Sequence, residues 1–362
     1  MEHISELQKI LSSFLDWNKS RVNFLAQFLQ ALFYVRSVNL TQIAEAFQTT
    51  AKGDSSYRRI QRFFKEFSFD MSFIVVLVLN FFTLDGKFTL IMDRTNWKWG
   101  KKHINIFMLS VEHFGIGIPL FWMVLDSAGN TKTNERIKLL KRVIKRFGVE
   151  RIEVLLADRE FIGEPWFRFL IEENIPFVIR VKQNFMVGGI RQGYEVPIRE
   201  LLKDLNKERE KLLNHPVLLW GHSVYASVEY AKGAKEPMIV VSNKLFTDSI
   251  KIYRKRWGIE TLFACLKTRG FRLEDTHMVE KEKIEKLIFI LAIAFCWAYK
   301  TGEIQSIKKP ILIKKHGRKV KSVFRLGLSL IRTVLLKIDK RLDEFIFLLT
   351  CFKKPPRRGF SI

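Results

Sequence analysis

Cysteine is scarce in this chain. Cys265, Cys296 and Cys351 make an odd set with no C-x-x-C pair, which argues against a disulfide framework and a thiolate zinc site. The seven histidines fall in no H-x-x-x-H or H-E-x-x-H spacing, so imidazole metal chemistry has no footing either. None of them begins the H-x-x-R cluster that a tyrosine-nucleophile recombinase needs, and G-x-S-x-G is absent. Long apolar runs are missing: Phe73–Val78 and Leu287–Trp297 fall short of the ~18–20 residues that span a bilayer. Met1–Glu6 lacks the basic, apolar and small-residue order of a secretory signal. A reducing, cytoplasmic compartment is the expectation.

Negative charge is also in short supply, and that shortage points to a partner. The 362 residues carry 62 Lys plus Arg against 37 Asp plus Glu, a formal net charge of +25. Nucleic acid is the partner class that rewards such an excess. The excess is uneven, for residues 251–362 alone hold 27 basic and 10 acidic side chains, net +17. Lys308-Lys309, Lys314-Lys315, Arg318-Lys319 and Arg357-Arg358 supply much of it.

Proline is absent from residues 1–82 and glycine from everything before Gly53, while Phe24, Leu25, Phe28, Leu29, Leu32 and Phe33 recur at helical spacing. This predicts a helical domain over 1–85. Within it Asn39-Leu40-Thr41 caps a short helix, a polar break follows, and Ser55–Phe67 forms a basic amphipathic helix with Arg58, Arg59, Arg62 and Lys65. Helix, break and basic helix resemble a helix-turn-helix DNA reader, and the alternative is a solvated face on a helical bundle.

From Gly86 the pattern turns to strands. Phe88–Met92 and Val154–Ala157 are continuous apolar runs, as for strands buried on both faces, and they end in Asp93 and Asp158. Strands at Ile104–Val111, Ile118–Leu125 and Pro176–Val181, with helices at Thr131–Phe147 and Glu164–Glu173, complete a mixed α/β pattern over 86–184. Residues 185–245 read as a mostly β insertion with turns at Gly188, Gly189 and Gly193, a charged helix at Ile198–Leu213 and strands at Val217–Tyr230 and Met238–Ser242. Helices at 247–268 and Glu280–Tyr299 make the second part of the core, 246–300, and 301–362 is a basic tail with a helix over Val323–Phe352.

The chemistry is expected at the two strand-end acids. Carboxylates at the ends of buried strands converge on the crevice of an α/β sheet. Two of them repel unless a cation lies between, and oxygen ligands without His or Cys point to Mg²⁺ or Mn²⁺. On the helix at 247–268, Tyr253, Arg256, Glu260 and Lys267 lie at offsets of 3, 7 and 14. At about 100° per residue they share an arc of roughly 60°, beside a core stripe of Ile252, Ile259, Phe263 and Leu266. An ordinary Arg256–Glu260 pair at i, i+4 is the competing reading, worth only ~0.3–0.5 kcal/mol.

Y-x2-R-x3-E-x6-K, here Tyr253, Arg256, Glu260 and Lys267, resembles the signature of bacterial insertion-sequence transposases of the DDE superfamily. The likeness is to the branch with a β insertion before the catalytic glutamate. Asp93-Arg94-Thr95, Ala157-Asp158-Arg159-Glu160-Phe161 and Arg256-Trp257-Gly258-Ile259-Glu260 support it, and it spans roughly 86–300. The resemblance implies a ribonuclease-H-like α/β fold and a triad of Asp93, Asp158 and Glu260 that binds two divalent ions. It also implies double-stranded DNA as partner, a homodimer when two ends are synapsed, and release of the element through hairpin ends. Arg256 and Lys267 would hold phosphates, Tyr253 would hydrogen-bond one, and Arg58, Arg59 and Arg62 would bind DNA. Trp220 is a candidate for stacking a flipped base, against the alternative of packing inside the insertion. A DNA-binding regulator without catalysis is the runner-up, and the intact acids count against it.

Overall fold

The computed structural model describes residues 2–49, 53–82, 84, 86–126, 128–188, 195–202, 211–213, 215–230, 236–315 and 317–352. Gly189, Gly193 and Arg357-Arg358, read above as turns and tail charge, lie outside them.

The described residues of the proline-free start form five helices: α1 (Glu2–Ser12), α2 (Lys19–Val35), α3 (Leu40–Glu45), α4 (Gly53–Glu66) and α5 (Phe73–Phe81). Asn39 does cap α3, its side chain accepting from the N–H groups of Thr41 and Gln42. Strands β1 (Phe88–Trp99), β2 (Lys102–His113) and β3 (Ile116–Leu125) form a meander. They lead into α6 (Thr133–Phe147), β4 (Ile152–Ala157), α7 (Glu164–Glu172) and β5 (Phe177–Val181). Among the described residues six further strands follow: β6 (Met186–Gly188), β7 (Glu195–Pro197), β8 (Lys211–Leu212), β9 (Val217–Leu219), β10 (His222–Glu229) and β11 (Met238–Ser242). The chain then runs through α8 (Ser249–Arg254), α9 (Trp257–Leu266), α10 (Lys281–Lys308), α11 (Val323–Leu336) and α12 (Leu342–Leu349).

Contacts divide the chain into two compact units: 1–84, 97–104 and 263–362 in one, 85–96 and 105–262 in the other. The boundary differs from a split at residue 300, because Phe263 onward clusters with the N-terminal helices. At the centre of that helical unit α10 is sheathed in apolar contacts from Leu287 to Trp297. It is 28 residues long and apolar enough by composition to cross a membrane, yet 83% of its most apolar window is buried, as in a core helix. The helix is longer than the apolar run because Thr301 and Gly302 stay buried while polar residues extend its last turns. Val323–Phe352 is not one helix: α11 ends at Leu336, a 3₁₀ turn at Ile338–Lys340 buries Ile338, and α12 restarts at Leu342.

α10 and α11 cross at glycine. A Cβ on Gly327 would lie 1.8 Å from the carbonyl oxygen of Ala298, and one on Gly302 would lie 1.9 Å from that of Val323. Both neighbours are backbone and cannot swing aside. Gly327→Ala is therefore expected to lose at least about 3 kcal/mol, the upper end of ordinary overpacking, visible as a fall in the urea midpoint. An unchanged midpoint would mean the helices part at little cost.

The second unit is built on one sheet. Its described strands run β3-β2-β1-β4-β5-β11-β10-β9-β6-β7, with β8 beside β10. β1, β4 and β5 are parallel neighbours, and the β2–β3 hairpin extends the β1 edge. This order, β3-β2-β1-β4-β5 with a meander feeding a βαβ unit, is that of a ribonuclease-H-like α/β fold. The insertion is not a separate layer. Its strand β11 pairs antiparallel with β5, so the β-rich segment prolongs the same sheet.

Several local expectations change. Lys211–Leu212 is strand, not the end of a charged helix, and only a 3₁₀ turn at Ile198–Leu202 is helical among the described residues of that stretch. Val217–Tyr230 is a hairpin, because Trp220 and Gly221 both take left-handed φ values, 50° and 78°, and reverse the chain. β3 begins at Ile116 rather than at Ile118, so Gly117 lies inside it. A Cβ there would meet the backbone of Ile259 at 3.1 Å, so its absence lets α9 approach the strand.

Candidate active site and nucleic-acid interface

The register of β1 on β4 places the first two acids side by side. The last paired residues are Met92 and Ala157, and the next residues along the chain are Asp93 and Asp158. Asp93 is not a strand end, since β1 continues to Trp99 alongside β2 after β4 has stopped. Each carboxylate accepts from the N–H of the arginine after it, Asp93 from Arg94 at 2.8 Å and Asp158 from Arg159 at 2.7 Å.

The third acid comes from the helical segment, which is not continuous. α8 ends at Arg254, and α9 begins at Trp257. Between them the N–H groups of Lys255, Arg256, Gly258 and Ile259 reach back three residues rather than four. That tightening accompanies the inward turn of Arg256. Gly258 completes the fit, for a Cβ there would stand 3.0 Å from the N of Gly117. Glu260 follows in the first turn of α9.

Arg256 is the hub. Its Nη1 donates to Asp93 Oδ2 at 2.9 Å, and its Nη2 donates to Glu260 Oε1. The Arg256 and Asp93 side chains are 8% and 16% exposed, while Glu260 is 52% exposed. The Tyr253 hydroxyl donates to Asp158 Oδ1 at 3.3 Å, and the guanidinium lies 5.7 Å from the centre of the Tyr253 ring. Asp93, Asp158, Glu260, Tyr253 and Arg256 thus gather within one unit. Lys267 belongs to the other, where its ammonium pairs with Glu274 at 2.7 Å and lies over the Trp97 ring. Tyr253, Arg256 and Glu260, three of the four signature positions, meet the two aspartates through the bonds just given. Lys267 comes one residue past the end of α9.

Burial raises the Asp93 carboxyl to about 6 from 3.8; Glu160 and Asp158 add to the rise, and Arg256 and the Arg94 N–H oppose it. Burial works against charge on Arg256, but Tyr253, Asp93, Glu260 and Asp158 together raise its pKa. Burial also pushes the Tyr253 hydroxyl up, so it stays a donor. For Asp93 the folded pKa lies above the unfolded one. The folded state therefore holds a proton that the unfolded state has released between pH 3.8 and about 6, and stability falls as pH rises through that window. A ¹³C NMR titration of the Asp93 carboxyl should show a midpoint near 6. A midpoint at or below 4 would mean that Arg256 outweighs burial.

A second set of residues holds the acids in place. Arg136, buried, donates to Thr131 Oγ1 and to the carbonyls of Thr131, Glu160 and Ile162, and covers the Phe161 ring. It clamps the loop that carries Asp158. Arg94 Nε donates to both oxygens of Glu160 at 2.7 and 2.8 Å, and Arg94 Nη2 reaches Asn130. Asn130 and Thr131 serve these arginines. Lys132 is the cap residue, its N–H donating to Glu135. A basic side chain on a helix has no sequence mark that it will be buried, so Arg136 was not legible beforehand.

Three carboxylates with no nitrogen or sulfur ligand suit a hard divalent cation by chemistry. Among the described residues no group of three acidic, His or Cys side chains is placed to hold an ion. The cation between Asp93 and Glu260 is the Arg256 guanidinium.

Arg58 and Arg62 are exposed on α4 and line a cleft of about 840 Å³ with Lys65, His277 and Lys283, all within the helical unit. Arg59 is turned away: its guanidinium bonds Gln27 Oε1 at 2.9 Å and covers Phe24. Lys308, Lys309, Lys314, Lys315, Arg318 and Lys319 are exposed. The Trp220 ring meets Phe167 and Phe185 edge-on, which is packing geometry.

Asp93 and Asp158 thus follow adjacent parallel strands of a ribonuclease-H-like sheet, Glu260 stands on a later helix, and the β extension lies between them in the chain. The family described as the transposase DDE domain matches residues 83–297, and the chain belongs to it. A search of curated proteins gives no match. Among solved structures, the cryo-EM structure of a piggyBac transposase synaptic complex with hairpin DNA is similar at 14% identity and a TM-score of 0.44, over 100% of this chain and 84% of that one.

Proposed function

We propose that this transposase binds the ends of an insertion sequence, cleaves them by metal-dependent phosphoryl transfer through hairpin ends, and joins them to target DNA. Asp93, Asp158 and Glu260 are the acidic triad. The observation that carries this reading is the register that sets Asp93 beside Asp158, with Arg256 linking Asp93 to Glu260. Two Mg²⁺ or Mn²⁺ ions, which the family implies, would supply charge neutralisation at the phosphorus being attacked. The protein's own part is positioning. Arg256 can meet a phosphate through two parallel donors, and Tyr253 can offer one more. Arg58, Arg62 and the exposed lysines after Lys308 provide electrostatic grip on duplex DNA, which binds a protein dimer in the cytoplasm when two ends are synapsed.

The test is incubation of end-labelled duplex, carrying the inverted repeats that flank the reading frame, with Mg²⁺. Nicks at the repeat boundary are expected, and EDTA should abolish them. Sequence-specific binding with no cleavage under Mg²⁺ or Mn²⁺ would favour the regulator.

A further inference from the structure

The acids of the proposed site already have a cation. Arg256 donates to Asp93 and to Glu260 at once, and one oxygen of the third acid, Asp158 Oδ1, accepts from the Tyr253 hydroxyl and the Arg159 N–H. A guanidinium cannot coordinate a metal, and a divalent ion bridging the same carboxylate oxygens would be pressed against a fixed positive charge. The two occupants exclude each other. The arginine's own position is incompletely satisfied, for its Nε is buried with no hydrogen-bond partner among the described residues. A phosphate offers what the carboxylates do not: an acceptor edge that can take the Nε and one Nη of a guanidinium together.

We propose that Arg256 is a resident counter-ion which keeps divalent metal out of the acidic site until a phosphate of duplex DNA draws it away. This rests on the reading of Asp93, Asp158 and Glu260 as the metal-binding triad. DNA then does two things by one movement. It satisfies the arginine, and it uncovers Asp93 and Glu260 for the ion. The protein without DNA is held in a metal-poor form that does not cut indiscriminately. The coupling is thermodynamic, so metal affinity must differ between the free and the DNA-bound protein.

Iron(II) with ascorbate cuts a polypeptide beside a bound ion, so it reports occupancy of this site without any DNA cleavage. The full chain would be treated with Fe²⁺, with and without a linear duplex, and the fragments ending near residues 93 and 158 quantified. Asp158→Asn provides the background from iron held elsewhere, including on the DNA. The expected result for the unaltered protein is at least about tenfold more site-specific cutting with DNA than without it. Arg256→Gln, which keeps hydrogen bonding and removes the charge, should be cut without DNA to the level that the unaltered protein reaches only with it. Equal cutting of the unaltered protein with and without DNA would overturn the proposal and leave the triad standing. No cutting near 93 or 158 in either protein under either condition would sink the triad reading itself and the proposal with it. If Arg256→Gln does not fold, the comparison of the unaltered protein with and without DNA still decides.

Discussion

Glu260→Gln should abolish end cleavage, by at least about a thousandfold, while leaving DNA binding and the melting temperature almost unchanged. The asymmetry follows from where the side chain lies. Glu260 is 52% exposed at the start of α9, and among the described residues its one ion pair is to Arg256. Pairs with a solvent-exposed partner contribute about 0–1 kcal/mol, so the amide should cost the fold little, all the more because Arg256 keeps Asp93. Chemistry is another matter. An amide cannot supply the negative charge that holds a cation at the reacting phosphate, and members of a unit that act together fail together. Removing a negative charge beside the DNA path should, if anything, tighten binding. Gel-shift, Mg²⁺-dependent end cleavage and thermal melting on one preparation make the check. Cleavage at the original rate would show that Glu260 is outside the triad. A loss of several degrees together with loss of binding would show that the Arg256–Glu260 pair is structural and that α9 depends on it.

The acids were legible because their surroundings are simple. Strands buried on both faces of a parallel sheet read as unbroken apolar runs, so the first charge after Phe88–Met92 and after Val154–Ala157 marks the edge of the core. Helical spacing then put Tyr253, Arg256 and Glu260 on one line, and they do converge. What spacing could not carry was the break. A 100° rule assumes an uninterrupted helix, whereas the chain tightens at Lys255-Arg256 and brings Arg256 to Asp93. Lys267 shows the limit of the same rule, since it lies beyond Leu266 and pairs with Glu274. The close approach of Gly258 to Gly117 was hidden for another reason. Nothing local distinguishes a glycine that turns a chain from one that makes room for a backbone 141 positions away. The sheet order was likewise beyond reach, because β11 could have paired within the insertion and instead pairs with β5.

Arg256 carries the second large effect, and here the flanking position inferred from spacing gives way to the burial observed. A guanidinium 8% exposed between two carboxylates is not a surface group. Taking away its charge leaves Asp93 buried beside Asp158 and Glu160, with only the Arg94 N–H to oppose the rise in its pKa. Breaking a buried pair from one side costs about 3–5 kcal/mol, and Asp93 can limit the damage by taking up a proton, so the lower end is expected. Arg256→Gln should then melt roughly 5–10 °C below the unaltered protein at neutral pH, and the deficit should shrink as pH falls toward 6 and Asp93 becomes protonated. Millimolar Mg²⁺ distinguishes this from generic loss of packing. In the variant an ion can take the vacated place between the carboxylates and restore several degrees, since a ligand that binds only the folded state stabilises it. In the unaltered protein the guanidinium already neutralises them, and Mg²⁺ should move the melting temperature little without DNA. Differential scanning calorimetry of both proteins, with and without Mg²⁺ at pH 6 and pH 8, measures all of it. A deficit that neither low pH nor Mg²⁺ repairs would mean that Arg256 matters for its packing against Tyr253 and not for its charge.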